Sequence, residues 1–216
     1  KPFAGIAPPT LRCIALDEND NVTLTWSIPI DSNNSFDSYV VFYQDGGSGP
    51  FNQLQTIGNY NSNTVTIAGN FSGTGSFYMV TKFDGGDNTS LPSDTVSPIL
   101  INLVTGNRTV KLNWSNHLLP SPDSLYRLKR SLDGGTWEQV STADWVQNTF
   151  VDTVNECQAE LKYQVEIRGV GGCLSTSNVA RITLEDVAPP NTTNLICASV
   201  DTADGSVNIE WLPSSS

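Results

Sequence analysis

Basic residues are scarce in this chain: Lys and Arg together number 11 against 22 acidic side chains, giving a net charge of −11 over 216 residues. Nucleic acid and anionic membrane surfaces both need a basic footprint, so neither is expected as a partner. No run of about 18 apolar residues is present, which excludes a bilayer-spanning helix, and no membrane insertion is expected. Histidine occurs once, as His117, and no Gly-x-Ser-x-Gly elbow exists. A nucleophile therefore has no evident base beside it, and no catalytic residue is assigned. The four cysteines, Cys13, Cys157, Cys173 and Cys197, include no Cys-x-x-Cys pair. A zinc site is not expected, and neither is a cofactor.

What the chain has instead is a repeat. Asn21-Val-Thr-Leu-Thr-Trp26 returns as Thr109-Val-Lys-Leu-Asn-Trp114 and as Ser206-Val-Asn-Ile-Glu-Trp211. Apolar residues fall at every second position and end in Trp, the pattern of a strand with one face buried, so Trp26, Trp114 and Trp211 are read as core. The tryptophans stand 88 and then 97 residues apart, close to the ~100 residues of an immunoglobulin-like sandwich. A second landmark repeats at nearly the same offset: Gly49-Pro-Phe-Asn-Gln-Leu54 matches Gly134-Gly-Thr-Trp-Glu-Gln-Val140, which aligns Trp137 with Phe51 and predicts it to be core.

Short runs rich in β-branched and aromatic residues, separated by Gly, Asn, Ser and Pro, predict seven strands per repeat and no helix. In the first repeat they fall near 10–16, 21–27, 38–43, 51–57, 63–67, 75–82 and 91–96. In the second they fall near 99–105, 109–115, 125–131, 147–152, 160–169 and 174–184, with the segment 134–140 as the counterpart of the first repeat's fourth. The expected fold class is all-β, with domains at 1–97 and 98–187. Val187-Ala-Pro-Pro190 copies Ile6-Ala-Pro-Pro9, so 188–216 is expected to begin a third domain that reaches only its second strand. Lys1-Pro-Phe reads as the start of a mature chain after signal removal, or as an arbitrary cut.

The Pro-Pro lead-ins, Leu11 and Leu195 before the tryptophan strands, Tyr39 and Tyr126 early in the third strands, and Tyr163 in Tyr-Gln-Val-Glu-Ile resemble tandem fibronectin type III (immunoglobulin-like) domains. Four segments narrow that likeness: Pro-Pro-Thr-Leu-Arg-Cys-Ile, Gly-Pro-Phe-Asn-Gln-Leu, Ser90-Leu-Pro-Ser-Asp-Thr95 and Gly172-Cys-Leu-Ser-Thr-Ser-Asn178. Together they are similar to the amino-terminal repeats of secreted surface proteins of gliding Bacteroidetes, cargo of the type IX secretion system. Relatives of that kind often carry a cysteine in the F–G loop of the first domain, where this chain has Asp84-Gly-Gly-Asp87; Cys13 thereby loses the partner the resemblance implies.

Cys157 and Cys173 share one repeat and form a candidate disulfide. About eight extended residues between them span some 25 Å, whereas a disulfide needs Cα atoms within ~7 Å, so the bond requires the flanking loops to fold back. Cys13 and Cys197 hold equivalent places in the first strands of repeats one and three and are read as small buried apolar residues. Asp17, Glu18 and Asp20, with Asp201 and Asp204 in the matching turn, offer oxygens suited to calcium, but their spacing matches no EF-hand loop and such turn acids ordinarily face water. Trp145 has no counterpart in the first repeat and is the candidate for surface contact, for instance stacking on a sugar.

The function implied is a non-enzymatic, secreted cell-surface module, a spacer or adhesion region of a larger exported protein linked to gliding motility or type IX secretion. Its expected partners are other domains of the same polypeptide, the secretion machinery, and surface glycans or proteins. The alternative is an accessory, non-catalytic region of a secreted polysaccharide-degrading enzyme.

Overall fold

A computed structural model describes residues 5–117, 119, 124–154, 159–184 and 195–212. The first repeat supplies β1 (Thr10–Leu16), β2 (Val22–Ser27), β3 (Phe36–Gln44), β4 (Asn52–Ile57), β5 (Thr64–Ile67), β6 (Ser76–Phe83) and β7 (Asn88–Thr89). The second supplies β8 (Ile101–Gly106), β9 (Thr109–Trp114), β10 (Leu125–Leu132), β11 (Glu138–Asp144), β12 (Thr149–Thr153), β13 (Glu160–Arg168), β14 (Leu174–Thr176) and β15 (Ala180–Thr183). A hairpin of β16 (Leu195–Val200) and β17 (Val207–Trp211) follows. Among the described residues there is no helix, and residues 1–184 form one compact unit while the hairpin belongs to a second, 185–216.

Alternation decides which side chains meet. Val22, Leu24 and Trp26 on β2 face inward with Leu11, Ile14 and Leu16 of β1, and they pack on Tyr39, Val41, Phe77 and Met79 of the opposing sheet. The second core repeats this with Val110, Leu112 and Trp114 against Tyr126, Leu128, Tyr163 and Val165. In each repeat the tryptophan ring meets the third-strand tyrosine edge-on, Trp26 with Tyr39 at 5.5 Å and Trp114 with Tyr126 at 5.7 Å. Within each repeat the first, second and fifth strands pair, and the third pairs with the fourth and sixth. Each repeat is thus a sandwich of two antiparallel sheets of the immunoglobulin-like class, present twice.

The last strand of each sandwich is broken, where the sequence pattern predicts one continuous run. In the first, β7 has two residues and the chain then follows β6 through single bonds from Ser90 N to Thr81 O and from Ser93 N to Met79 O, both 2.8 Å. Pro92 lies between these and has no N–H to offer a ladder. In the second, β14 and β15 are separated by Ser177, whose Oγ accepts the Val165 N–H at 2.9 Å. Trp137 and Phe51, predicted as core, are both half-buried and lie outside the two cores; Phe51 meets Tyr78 edge-on at 4.8 Å.

The two sandwiches are joined through their sheets. The β1-β2-β5 sheet of the first continues into the β11-β10-β13-β14 sheet of the second, because β1 pairs parallel with β14, Ala15 opposite Thr176. Gly169, just past β13, lies against this joint. A Cβ there would meet the Cys13 sulfur and stand 2.6 Å from the Arg12 carbonyl oxygen. Gly169→Val is therefore expected to destabilise the chain by about 1–3 kcal/mol, the range for overpacking. Chemical denaturation checks this.

Candidate functional site

Why β1 can hold a neighbouring domain follows from one irregularity. The β1–β2 register shifts between Leu11 and Cys13, a bulge that changes which face successive side chains take. Leu11, Ile14 and Leu16 stay in the core, while Cys13, 1% exposed, turns out of it toward the second sandwich. There it bonds Cys173, with Cα atoms 6.1 Å apart. This corrects two expectations. Cys173 pairs with Cys13 and so is unavailable to Cys157, which lies outside the described residues; and Cys13, buried as expected, is a disulfide partner and not an inert apolar residue, because the bulge takes it off the core-facing phase.

Around the disulfide the contacts are polar and local to the two edges. The Ile14 N–H donates to Ser175 Oγ at 3.1 Å, and Thr176 Oγ1 donates to the Leu16 carbonyl at 2.9 Å. Gln164 Nε2 reaches the same carbonyl at 3.4 Å and the Ser177 carbonyl at 3.1 Å. At the far end Glu18 receives Lys162 Nζ at 3.1 Å and Arg181 at 3.3 Å. The Lys162 hydrogen bond, then its charge, holds the Glu18 carboxyl below its ordinary range. Gly171, at φ +85°, runs so close to the Arg12 guanidinium that a Cβ would stand 2.6 Å from it. A cleft of about 280 Å³ opens beside this seam. Arg12, Ser27 and Asp94 form its polar side, Leu119 and Val170 its apolar side, and Arg12 Nε donates to Ser27 Oγ at 2.5 Å.

The remaining candidates are dispersed. Trp26 and Trp114 are buried in separate cores. Trp211 is 59% exposed, against expectation, because β16 and β17 have no second sheet among the described residues of their unit. Trp145 is 57% exposed in the turn after β11, beside Val146 at 72%, with its N–H bonded to the Ser124 carbonyl at 2.9 Å. Four of the acids weighed for calcium, Asp17, Glu18, Asp201 and Asp204, are engaged otherwise. Asp17 accepts the Asn19 and Asn21 N–H groups and the Asn21 side-chain amide, which lowers its pKa, while Asp201 and Asp204 accept Ala203 N and Ser206 N at 2.8 Å. Among the described residues no cluster of three metal-ligating side chains occurs.

The Cys13–Cys173 bond was the residue pair that sequence reading missed. Two signals were present: Cys13-Ile14 puts two apolar residues side by side in an alternating strand, which marks a bulge, and Gly169, Gly171 and Gly172 crowd the approach to Cys173.

His117, the one imidazole, is buried at 6% exposure and closes the second core, its backbone N–H donating to Tyr126 Oη at 2.8 Å. Among the described residues neither ring nitrogen has a partner, and burial pushes the imidazole down to about 4. Unfolded, it titrates near 6.5. Its contribution is thus complete above pH 6.5 and drains as pH falls toward 4, by about 3 kcal/mol in all. Denaturation series across that window should show the slope in the unchanged chain and lose it in His117→Leu.

No family model matches the sequence, and no curated protein matches it. Among solved structures, the crystal structure of chicken CNTN1 FN1-FN3 domains is similar over 96% of this chain and 75% of that one, at 16% identity and a TM-score of 0.33. The fold assignment stands on strand order and the two cores described above.

Proposed function

We propose that this chain is a non-catalytic spacer and adhesion module of a secreted, surface-displayed protein linked to gliding motility or type IX secretion. Its sandwiches occupy 1–97 and 98–187, and 188–216 begins a third. The observation that carries this reading is the seam: the Cys13–Cys173 bond and the β1–β14 pairing hold two sandwiches in one unit. A spacer transmits position and force only if its modules do not swing freely, and ordinary inter-domain contacts leave such motion open. A disulfide also persists in oxidising compartments, which supports export. Partners are the other domains of the polypeptide, the secretion machinery, and glycans or proteins met by the exposed Trp145 turn.

Cells displaying the native full-length protein test this under shear flow. Cys13→Ser with Cys173→Ser is expected to cost about 2–5 kcal/mol of stability, to broaden the distance distribution in small-angle scattering, and to lower the shear at which cells detach. Unchanged adhesion on deleting 1–184 would remove the adhesion role.

Trp145→Ala tests recognition separately. An exposed aromatic stacked on a sugar contributes about 0.5–1.5 kcal/mol, so binding to a responsive glycan should weaken roughly 2- to 12-fold with melting temperature unchanged. Equal affinity of the two forms would leave the module a spacer without a Trp145 contact.

A further inference from the structure

The β16–β17 hairpin reproduces β1–β2 pair for pair. Leu195 lies opposite Trp211, a register shift falls between Leu195 and Cys197, and the ladder resumes with Cys197 opposite Glu210, Ala198 opposite Ile209 and Val200 opposite Val207. In β1–β2, Leu11 lies opposite Trp26, the shift falls between Leu11 and Cys13, and Cys13, Ile14 and Leu16 lie opposite Thr25, Leu24 and Val22. Cys197 therefore holds the place of Cys13, turned by the same bulge off the face that carries Val207, Ile209 and Trp211. What differs is cover. Cys13 is buried and bonded, whereas Cys197 is an exposed free thiol. Val207, Ile209 and Trp211 are 60%, 56% and 59% exposed where Val22, Leu24 and Trp26 are 0%, 0% and 1%.

The distribution of cysteines states what fits there. Repeats one and three carry a cysteine in the first strand, and repeat two has Ile101-Asn-Leu-Val-Thr-Gly106 without one. Conversely, repeat two carries Cys173 in its F–G turn, where repeat one has Asp84-Gly-Gly-Asp87. Repeat one thus offers the strand cysteine and repeat two answers it from the F–G turn, and repeat three offers the strand cysteine again. In the one completed instance the receiving edge is β1 and the donor is the glycine-rich turn ahead of β14.

We propose that Cys197 and the outer edge of β16 form a second clamp of the same design, which receives the F–G hairpin of a fourth sandwich in the same polypeptide. The fourth places a glycine-flanked cysteine against Cys197 and lays its last strand parallel to β16. Forming the bond joins two thiol sulfurs and releases two protons and two electrons; a disulfide-bearing oxidant protein accepts them and leaves as a dithiol. The polar end of the first clamp is not copied, since Thr202 stands where Glu18 does. The proposal rests on the alternation of repeats and is independent of the adhesion reading.

The test is a disulfide map of the full-length native protein recovered from cells, with free thiols alkylated before digestion and no reductant added. The expected result is a Cys197 peptide that escapes alkylation and is linked to a cysteine in a later glycine-rich F–G turn, beside an intact Cys13–Cys173 pair. Alkylated Cys197 overturns the proposal, as does its linkage to Cys157 or to Cys197 of a second copy, or a full chain with no later F–G cysteine. In full-length Cys197→Ser, one downstream cysteine should become fully alkylated while Cys13–Cys173 remains. If that variant fails to accumulate, the map of the unchanged protein alone decides.

Discussion

Two sheet edges are removed from solvent where β1 meets β14, and the arrangement of residues 1–184 depends on that contact. An open edge strand presents unpaired N–H and C=O groups and invites association with other chains. Here the edge of one sandwich satisfies the edge of the next, with Ser175, Thr176 and Gln164 taking up groups of Ile14 and Leu16. The strand bridge is short, registered at Ala15 and Thr176, and a contact of that length holds little by itself. Covalent closure carries it. A crosslink between residues 160 apart in sequence restricts the unfolded chain by about 5 kcal/mol in the chain-entropy limit. Exposed ion pairs such as Lys162 with Glu18 are screened by water and contribute little, so they orient the seam and do not hold it.

The sandwiches beneath that seam solve one packing problem in two ways. The first fills its core with rings: Phe71, Tyr43 and Phe77 stand 4.7–5.5 Å apart, and Phe36 lies 4.6 Å from Tyr39. The second sets a polar chain at its margin. Glu138 receives Arg130 at 2.6 Å, Arg130 donates to Asp152 at 2.9 Å, and Tyr163 Oη donates to the same Asp152 oxygen at 2.8 Å. Burial and the neighbouring Asp152 push the Tyr163 hydroxyl far above its ordinary pKa, so it stays a donor. A half-satisfied network of this kind would cost more than an apolar filling.

The fold was largely legible in the residues, and the seam was not. Val22, Leu24 and Trp26 alternate with Thr23 and Thr25, and that period fixes a strand and its buried face whatever lies elsewhere in the chain. The strand tryptophans, third-strand tyrosines and turn residues then repeat at domain spacing, which gave the two sandwiches. Local rules failed where the chain departs from regularity. Pro92 and Ser177 each break a strand that apolar pattern alone would continue. Trp137 follows Phe51 in alignment yet shares its half-buried position at the sheet margin, since alignment transfers place without saying whether that place is core.

Taken alone, the amino-acid order determined period, turn positions and repeat count, because these depend on neighbours within a few residues. The tertiary structure decided the partner of Cys13. That choice needed a bulge to turn the sulfur outward, a glycine to admit a second backbone, and two strand edges from different sandwiches brought together across 160 residues. No window along the chain contains those three conditions at once, so only the folded arrangement of both sandwiches could select the bond.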